Sequence, residues 1–161
     1  MQPESRRSRL AAHATLLAAA TLVAVLAHAA PALEELGNFP RATVEIASGD
    51  RVHRFDVWVA DTPERQAQGL MFVRDLAPDA GMLFVHDAPR EVSMWMKNTY
   101  IPLDMLFIDR DGRIVRIARE TTPHSLEAIT SGAPVTQVLE LRGGEVARRG
   151  IAVGDRASTK S

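Results

Sequence analysis

Residues 93–105 carry the side chains best suited to bind a ligand or take part in a reaction. Trp95 offers a flat face for stacking, Lys97 an ammonium group, and Asn98 and Thr99 neutral hydrogen-bonding groups. If this stretch is an extended strand, its alternation places Trp95 and Lys97 on one face and Asn98 on the other. The spacing therefore predicts an aromatic ring and a cation side by side.

A carboxylate lies just beyond this stretch. Pro102 has no amide hydrogen and keeps the residue before it extended, so it ends the strand pairing. Asp104 follows the bend, and a second apolar strand begins at Met105. We expect Lys97 and Asp104 at neighbouring edges of one β layer, where they form an ion pair or face a common ligand.

The use of lysine singles out Lys97. After residue 29 the chain has fourteen arginines and two lysines, Lys97 and the near-terminal Lys160. Arginine forks to carboxylates and is always charged, whereas lysine is a compact donor that suits recognition and catalysis. The competing interpretation is a lysine that covers Trp95 and pairs with Asp104 for structural reasons.

The first functional hypothesis is a binding module. A stacking ring, an ammonium, neutral hydrogen-bonding groups and carboxylates together suit a small polar or anionic ligand. The predicted ligand-binding residues are Trp95, Lys97, Asn98, Thr99, Asp104 and Glu140. The pattern implies no cofactor, and it leaves the oligomeric state open.

The second hypothesis is a hydrolase-like or transferase-like enzyme. Lys97 would act as base or electrophile, with Asp104 or Glu140 as its partner. Such a role requires burial of the ammonium, which the sequence does not establish.

The third hypothesis is a periplasmic copper-binding protein, and the fourth is a structural or partner-holding module. All five methionines after Met1 lie within residues 71–105, and Met94 and Met96 would present two thioethers on one strand face. Methionines with this spacing are more often adaptable core residues, so we expect no metal site. An apolar strand edge would serve a partner-holding role.

Composition narrows the function classes. There is no cysteine, so disulfides, thiol nucleophiles and thiolate metal sites are excluded. After residue 29 there are sixteen lysines and arginines against nineteen aspartates and glutamates, a net charge of −3 with histidine neutral. This balance disfavours a nucleic-acid partner.

The first 29 residues have the pattern of a signal peptide. Arginines at positions 6, 7 and 9 precede an apolar run over residues 14–27, and Ala27-His28-Ala29 is a small-x-small cleavage site. Fourteen residues are fewer than the ~20 that a membrane-spanning helix needs. We expect export to the periplasm by an undetermined route, no membrane span after processing, and a spacer over residues 30–42.

The remaining residues predict one mainly β domain over residues 43–157. Residues 43–60 alternate as a β-hairpin, and Asp61-Thr62-Pro63 begins a helix that runs to about Phe72. Further predicted elements are a strand over 82–85, a hairpin around Asp111-Gly112, a strand over 134–141 and a helical turn over 145–149. We expect an antiparallel β-sandwich or partly closed barrel with one or two short helices, and a disordered tail over residues 158–161.

On the strand over 134–141, Glu140 is expected to face away from its neighbours Leu139 and Leu141, because side chains alternate along a strand.

Several short runs resemble the family called domain of unknown function 192. They are Gly69-Leu70-Met71, Gly81-Met82-Leu83-Phe84, Trp95-Met96-Lys97-Asn98-Thr99, Ile101-Pro102-Leu103-Asp104, Leu139-Glu140-Leu141 with Gly144, and Gly154-Asp155. The resemblance spans about residues 44–156. It implies a compact, mainly β domain that is often exported, and it implies no particular activity.

Overall fold

Seven strands form one curled sheet in the computed structural model, which describes residues 33–160. The strands of the whole domain are β1 (Arg41–Ser48), β2 (Arg51–Ala60), β3 (Ala80–Arg90), β4 (Ser93–Met94), β5 (Leu103–Ile108), β6 (Ile114–Ala118), β7 (Ile129–Thr130), β8 (Val135–Arg142) and β9 (Arg156–Lys160). Two short helices, α1 (Pro63–Gln68) and α2 (Glu145–Arg149), and a 3₁₀ turn at Leu36–Asn38 complete the described elements. None of these helices is long and apolar enough to span a membrane.

The large sheet has the strand order β6-β5-β8-β3-β2-β1-β9, and β4 pairs separately with β7. Its two edges meet, because Arg113 forms a bridge with Arg156 and the Ala157 amide donates to the Gly112 carbonyl oxygen over 2.7 Å. The sheet is therefore curled into a partly closed barrel, and the predicted mainly β fold is confirmed.

One strand pair departs from the expected antiparallel arrangement. β2 and β3 run parallel, with Val57 opposite Gly81. A parallel pair cannot be joined by a tight turn and needs a crossover. The chain supplies that crossover with α1 and the loop after it, which places the helix against one face of the sheet.

The helix α1 begins where the sequence predicts and ends earlier. Thr62 caps it, since its hydroxyl accepts a hydrogen bond from the Arg65 amide at 3.3 Å. Gly69 ends it with φ +50°, a backbone conformation that favours glycine. The predicted extension to Phe72 is wrong, because this reversal redirects the chain four residues after Arg65.

The strand predicted from Ser93 onward is largely wrong. Only Ser93–Met94 is a strand, and residues 96–99 form a β-turn in which the Thr99 amide donates to the Met96 carbonyl oxygen at 3.1 Å. Asn98 occupies the third turn position with φ +55°. Asparagine tolerates this conformation better than most residues do, so local turn chemistry prevails over the alternating pattern here.

The chain ends differ from the expected boundaries. Residues 158–160, expected in a disordered tail, belong to β9 and pair with β1. At the other end β1 begins at Arg41, two residues before the expected start of the domain. The predicted signal peptide and the first residues of the predicted spacer lie outside the described residues.

Apolar side chains pack on both faces of the sheet. We call the two sides the α1 face and the α2 face. The α1 face buries Phe39, Leu70, Met82, Phe84, Met96, Met105 and Val138, among others. The α2 face buries Val44, Ile46, Phe55, Leu106, Leu139, Leu141 and Val146, among others. Because successive residues alternate between these faces, the register of β5 and β8 decides which side each acidic residue occupies.

Candidate functional site

A partly enclosed cavity of about 80 Å³ lies on the α1 face of the sheet. We call it the α1 cavity. Its walls are α1 and the residues after it, Phe84 of β3, Glu140 of β8, and the segment over residues 93–99. The lining residues are Gln66, Ala67, Gln68, Gly69, Leu70, Met71, Phe84, Ser93, Met94, Trp95, Lys97, Thr99 and Glu140.

Glu140 occupies the inner part of this cavity. In the sheet it lies opposite Met82 on β3 and Met105 on β5, and only 3% of it is exposed. No hydrogen bond to its carboxyl group occurs among residues 33–160. Burial raises its pKa from the ordinary value of 4.5 to about 8, because desolvation disfavours the charged form. With a pKa of about 8, the carboxyl group of Glu140 is mostly protonated at pH 7.

Lys97 and Trp95 lie at the outer part of the cavity. Lys97 is exposed and Trp95 is 48% exposed, with the Lys97 Nζ 5.0 Å from the Trp95 ring centroid. This is a cation–π contact. Among residues 33–160 Lys97 forms no ion pair. Its ammonium is therefore held near the cavity by the ring and the turn, with no carboxylate neutralising it.

Thr99 lines the cavity, and Asn98 does not. Thr99 is buried, and its hydroxyl lies 3.3 Å from the Lys97 carbonyl oxygen, to which it donates. The Asn98 side-chain amide instead approaches the Met71 sulfur at 3.9 Å, and the Asn98 backbone carbonyl oxygen accepts from the Phe72 amide at 2.9 Å. Asn98 thus attaches the turn to the chain that follows α1.

Asp104 lies on the opposite face of the sheet from Glu140, so the predicted pocket shared by Lys97 and Asp104 is not found. Met105, and not Asp104, is the residue of β5 opposite Glu140. The Asp104 carboxylate is fully buried and accepts hydrogen bonds from the Glu120 amide at 2.8 Å and the Val146 amide at 2.9 Å. It connects the chain after β6 to the start of α2.

The two candidate copper ligands differ in their surroundings. Met96 is fully buried, with its sulfur 3.1 Å from the Thr121 hydroxyl oxygen. Met94 packs against the same apolar cluster and lines the α1 cavity. Within residues 33–160 there is no group of three or more His, Asp or Glu side chains arranged to hold a metal ion.

The contribution of α1 to the cavity was missed by the sequence reasoning. Gln66 attaches the helix to the sheet, since its side-chain amide donates to the Val85 carbonyl oxygen at 2.7 Å. Gly69 lies against Phe84, where an added Cβ would come within 3.2 Å of the ring. The glycine in Gly69-Leu70-Met71 was the available signal, because a glycine at a helix end often permits close packing.

Gly81 has a similar role behind Glu140. A Cβ at Gly81 would overlap the Glu140 carbonyl oxygen and crowd Leu141. Glycine at this position permits β3 and β8 to pair closely. The Glu140 side chain projects from the other side of β8. The run Gly81-Met82-Leu83-Phe84 therefore supports the cavity from the sheet.

The fold and cavity together define a small curled-sheet domain in which one buried acid and one exposed lysine line the same cavity. The chain belongs to the family domain of unknown function 192, described as "Uncharacterized ACR", whose profile matches residues 44–159. The resemblance stated from the sequence is thereby confirmed. No curated protein matches the chain.

Two solved structures share this fold. One, from Sinorhizobium meliloti 1021, is described as a candidate transcription regulator; it is 46% identical over 75% of this chain and 95% of its own, with a TM-score of 0.74. The other, a protein of unknown function from Novosphingobium aromaticivorans DSM 12444, is 35% identical over 81% of this chain and 94% of its own, with a TM-score of 0.75.

Replacing Asp104 with asparagine tests its structural role. Asparagine presents one NH₂ group where the carboxylate accepted, so one of the two backbone amides loses its partner in a buried place. We expect Asp104→Asn to lower the free energy of unfolding by about 2 kcal/mol, measured by urea denaturation. Asp75→Asn, at an exposed position, is the control. An Asp104→Asn variant as stable as that control would contradict this role.

The buried acid predicts a particular pH dependence of stability. The unfolded chain releases the Glu140 proton above its ordinary pKa of 4.5, whereas the folded protein keeps it up to about pH 8. The contribution of this group to stability is therefore full below pH 4.5 and is lost as pH rises to about 8. At ~1.4 kcal/mol per pKa unit, the loss reaches up to ~5 kcal/mol.

Glu140→Gln removes this titration. We expect the free energy of unfolding of the variant, relative to that of wild type, to increase as pH rises from 5 to 8. Urea denaturation at each pH measures it. Glu91→Gln, at an exposed glutamate, should follow the wild-type curve. Parallel curves for wild type and Glu140→Gln would mean that Glu140 titrates normally in the folded protein.

Proposed function

We propose that this domain binds a small anionic or polar ligand in the α1 cavity. The observation that carries the proposal is that Lys97 and Glu140 are the two ionisable residues lining the cavity within the described chain. Burial holds Glu140 in its neutral form at pH 7. Among residues 33–160, Lys97 is then the only charged side chain that lines the cavity, and the site favours an anion.

A carboxylate has the hydrogen-bonding capacity to use both groups. One of its oxygens would accept from the Lys97 ammonium and the other from the protonated Glu140 carboxyl group. Trp95 would cover the bound group at the exposed side. A cavity of about 80 Å³ is far smaller than the ~300–1,000 Å³ of sites for drug-sized ligands, so it suits one small functional group.

The residues before the domain support a periplasmic location. The arginines, the apolar run and Ala27-His28-Ala29 fit a cleaved export signal. The ligand would then be a small molecule of the cell envelope. The regulator description belongs to the Sinorhizobium meliloti relative, and the net charge of −3 after residue 29 disfavours nucleic-acid binding by this chain.

A second candidate function is an enzyme. Glu140 and Lys97 line the same cavity, and a carboxyl group with its pKa near 8 is suited to donate or accept a proton at neutral pH. Asp104, the other proposed partner of Lys97, faces away and is engaged by two backbone amides. Lys97 is exposed and therefore lacks the burial that a role as base or electrophile requires. Glu140 is the proton-transfer group that this candidate retains, with Lys97 beside it as a positive charge.

Titration with acetate and formate, followed by Trp fluorescence and calorimetry, tests the proposal. We expect wild type to bind, with affinity falling about tenfold per pH unit above pH 8, because anion binding requires the Glu140 proton. Lys97→Gln should weaken binding at least tenfold. Lys160→Gln, which removes the other lysine after residue 29, is the matched control and should bind like wild type.

Absence of anion binding by wild type, or equal binding by Lys97→Gln, would overturn the proposal. Analysis of the ligand by NMR after long incubation separates the two candidate functions. An unchanged ligand supports binding alone, and conversion that Glu140→Gln abolishes supports the enzyme.

A further inference from the structure

A second depression adjoins the α1 cavity. It measures about 290 Å³ and is lined by Ser93, Met94, Trp95, Leu126 and Ala128. We call it the Leu126 groove. Leu126 is 69% exposed, the largest exposed fraction among the large hydrophobic residues of the described chain. Apart from one serine, the groove offers apolar surface.

The groove and the α1 cavity share one short segment of their walls. Ser93, Met94 and Trp95 line both of them. The pairing of β4 with β7, in which Met94 lies opposite Ile129, holds the chain that carries Leu126 beside this segment. A molecule bound at Lys97 that extends past Trp95 would therefore meet the groove.

We propose that the ligand is an aliphatic monocarboxylate, with its carboxylate between Lys97 and Glu140 and its chain lying past Trp95 in the Leu126 groove. This inference rests on the proposed function and specifies its ligand class. The aliphatic chain of the ligand would cover Leu126 and the exposed part of Trp95, removing apolar surface from water.

The charges of the site favour a carboxylate over a phosphate. One ammonium and one neutral acid balance a single negative charge, and no arginine lines either depression within the described residues. Phosphate sites typically use arginine forks, and no arginine is among the described residues that line the cavity. Met94 suits chains of varied shape, because methionine is flexible and polarisable.

A series of carboxylates of increasing length tests the inference with the full-length protein. Acetate, butyrate, hexanoate and octanoate are titrated at pH 7 by calorimetry. We expect affinity to rise about two- to fourfold per methylene until the groove is filled, since full burial of a methylene corresponds to ~0.8 kcal/mol. Hexylamine, which has an apolar chain and a positive head, should not bind.

Two variants test where the aliphatic chain of the ligand lies. Leu126→Ser should reduce the increase in affinity per methylene of the ligand to less than half of the wild-type increase. Val153→Ser, at a similarly exposed hydrophobic residue outside the groove, should keep the full gain. A wild-type gain that persists in Leu126→Ser would overturn the placement of the chain.

The two proposals fail in different ways. If acetate binds and longer carboxylates bind no better, the aliphatic ligand is wrong and the anion site stands. If acetate does not bind wild type, the proposed function fails and this inference fails with it. If hexylamine gains affinity like hexanoate, the groove binds apolar chains without regard to the site at Lys97, and the inference is wrong.

Discussion

The burial of one carboxyl group on the α1 face is the constraint on which the candidate site depends. Glu140 lies between Met82 and Met105 with almost no exposure, and a charged carboxylate in such a place is costly unless it is paired. The group keeps its proton, which removes most of that cost. A neutral acid at the inner end and a free ammonium at the outer end give the cavity its preference for an anion.

Close backbone contacts shape the site around this acid. Gly81 lets β3 approach the Glu140 backbone, and Gly69 lets the chain after α1 pack on Phe84. The turn at Asn98 then brings Lys97 to the open side of the cavity. On the other face of the sheet, the buried Asp104 carboxylate holds α2 and the chain after β6, which keeps a second acidic residue away from the cavity.

Much of the fold could be predicted from the sequence, because alternation and turn residues act locally. The hairpins, the start of α1 and the side on which Glu140 projects follow from patterns a few residues long.

The site could be predicted only in part. The composition drew attention to Lys97, but the face occupied by Asp104 depends on the register of β5 against β8, which pairs Asp104 with Leu141, 37 positions away. The turn at Asn98 competes locally with the strand pattern, and the role of α1 arises from a parallel crossover that no local pattern indicates.

The central claim is that Glu140 remains a neutral acid at neutral pH inside a cavity that also presents Lys97. A ¹³C NMR titration of the Glu140 side-chain carboxyl carbon tests it most directly. A midpoint near pH 8 is expected, with an upward shift when acetate is bound, because the anion favours the protonated form. A midpoint near the ordinary value of 4.5, unchanged by acetate, would contradict the claim.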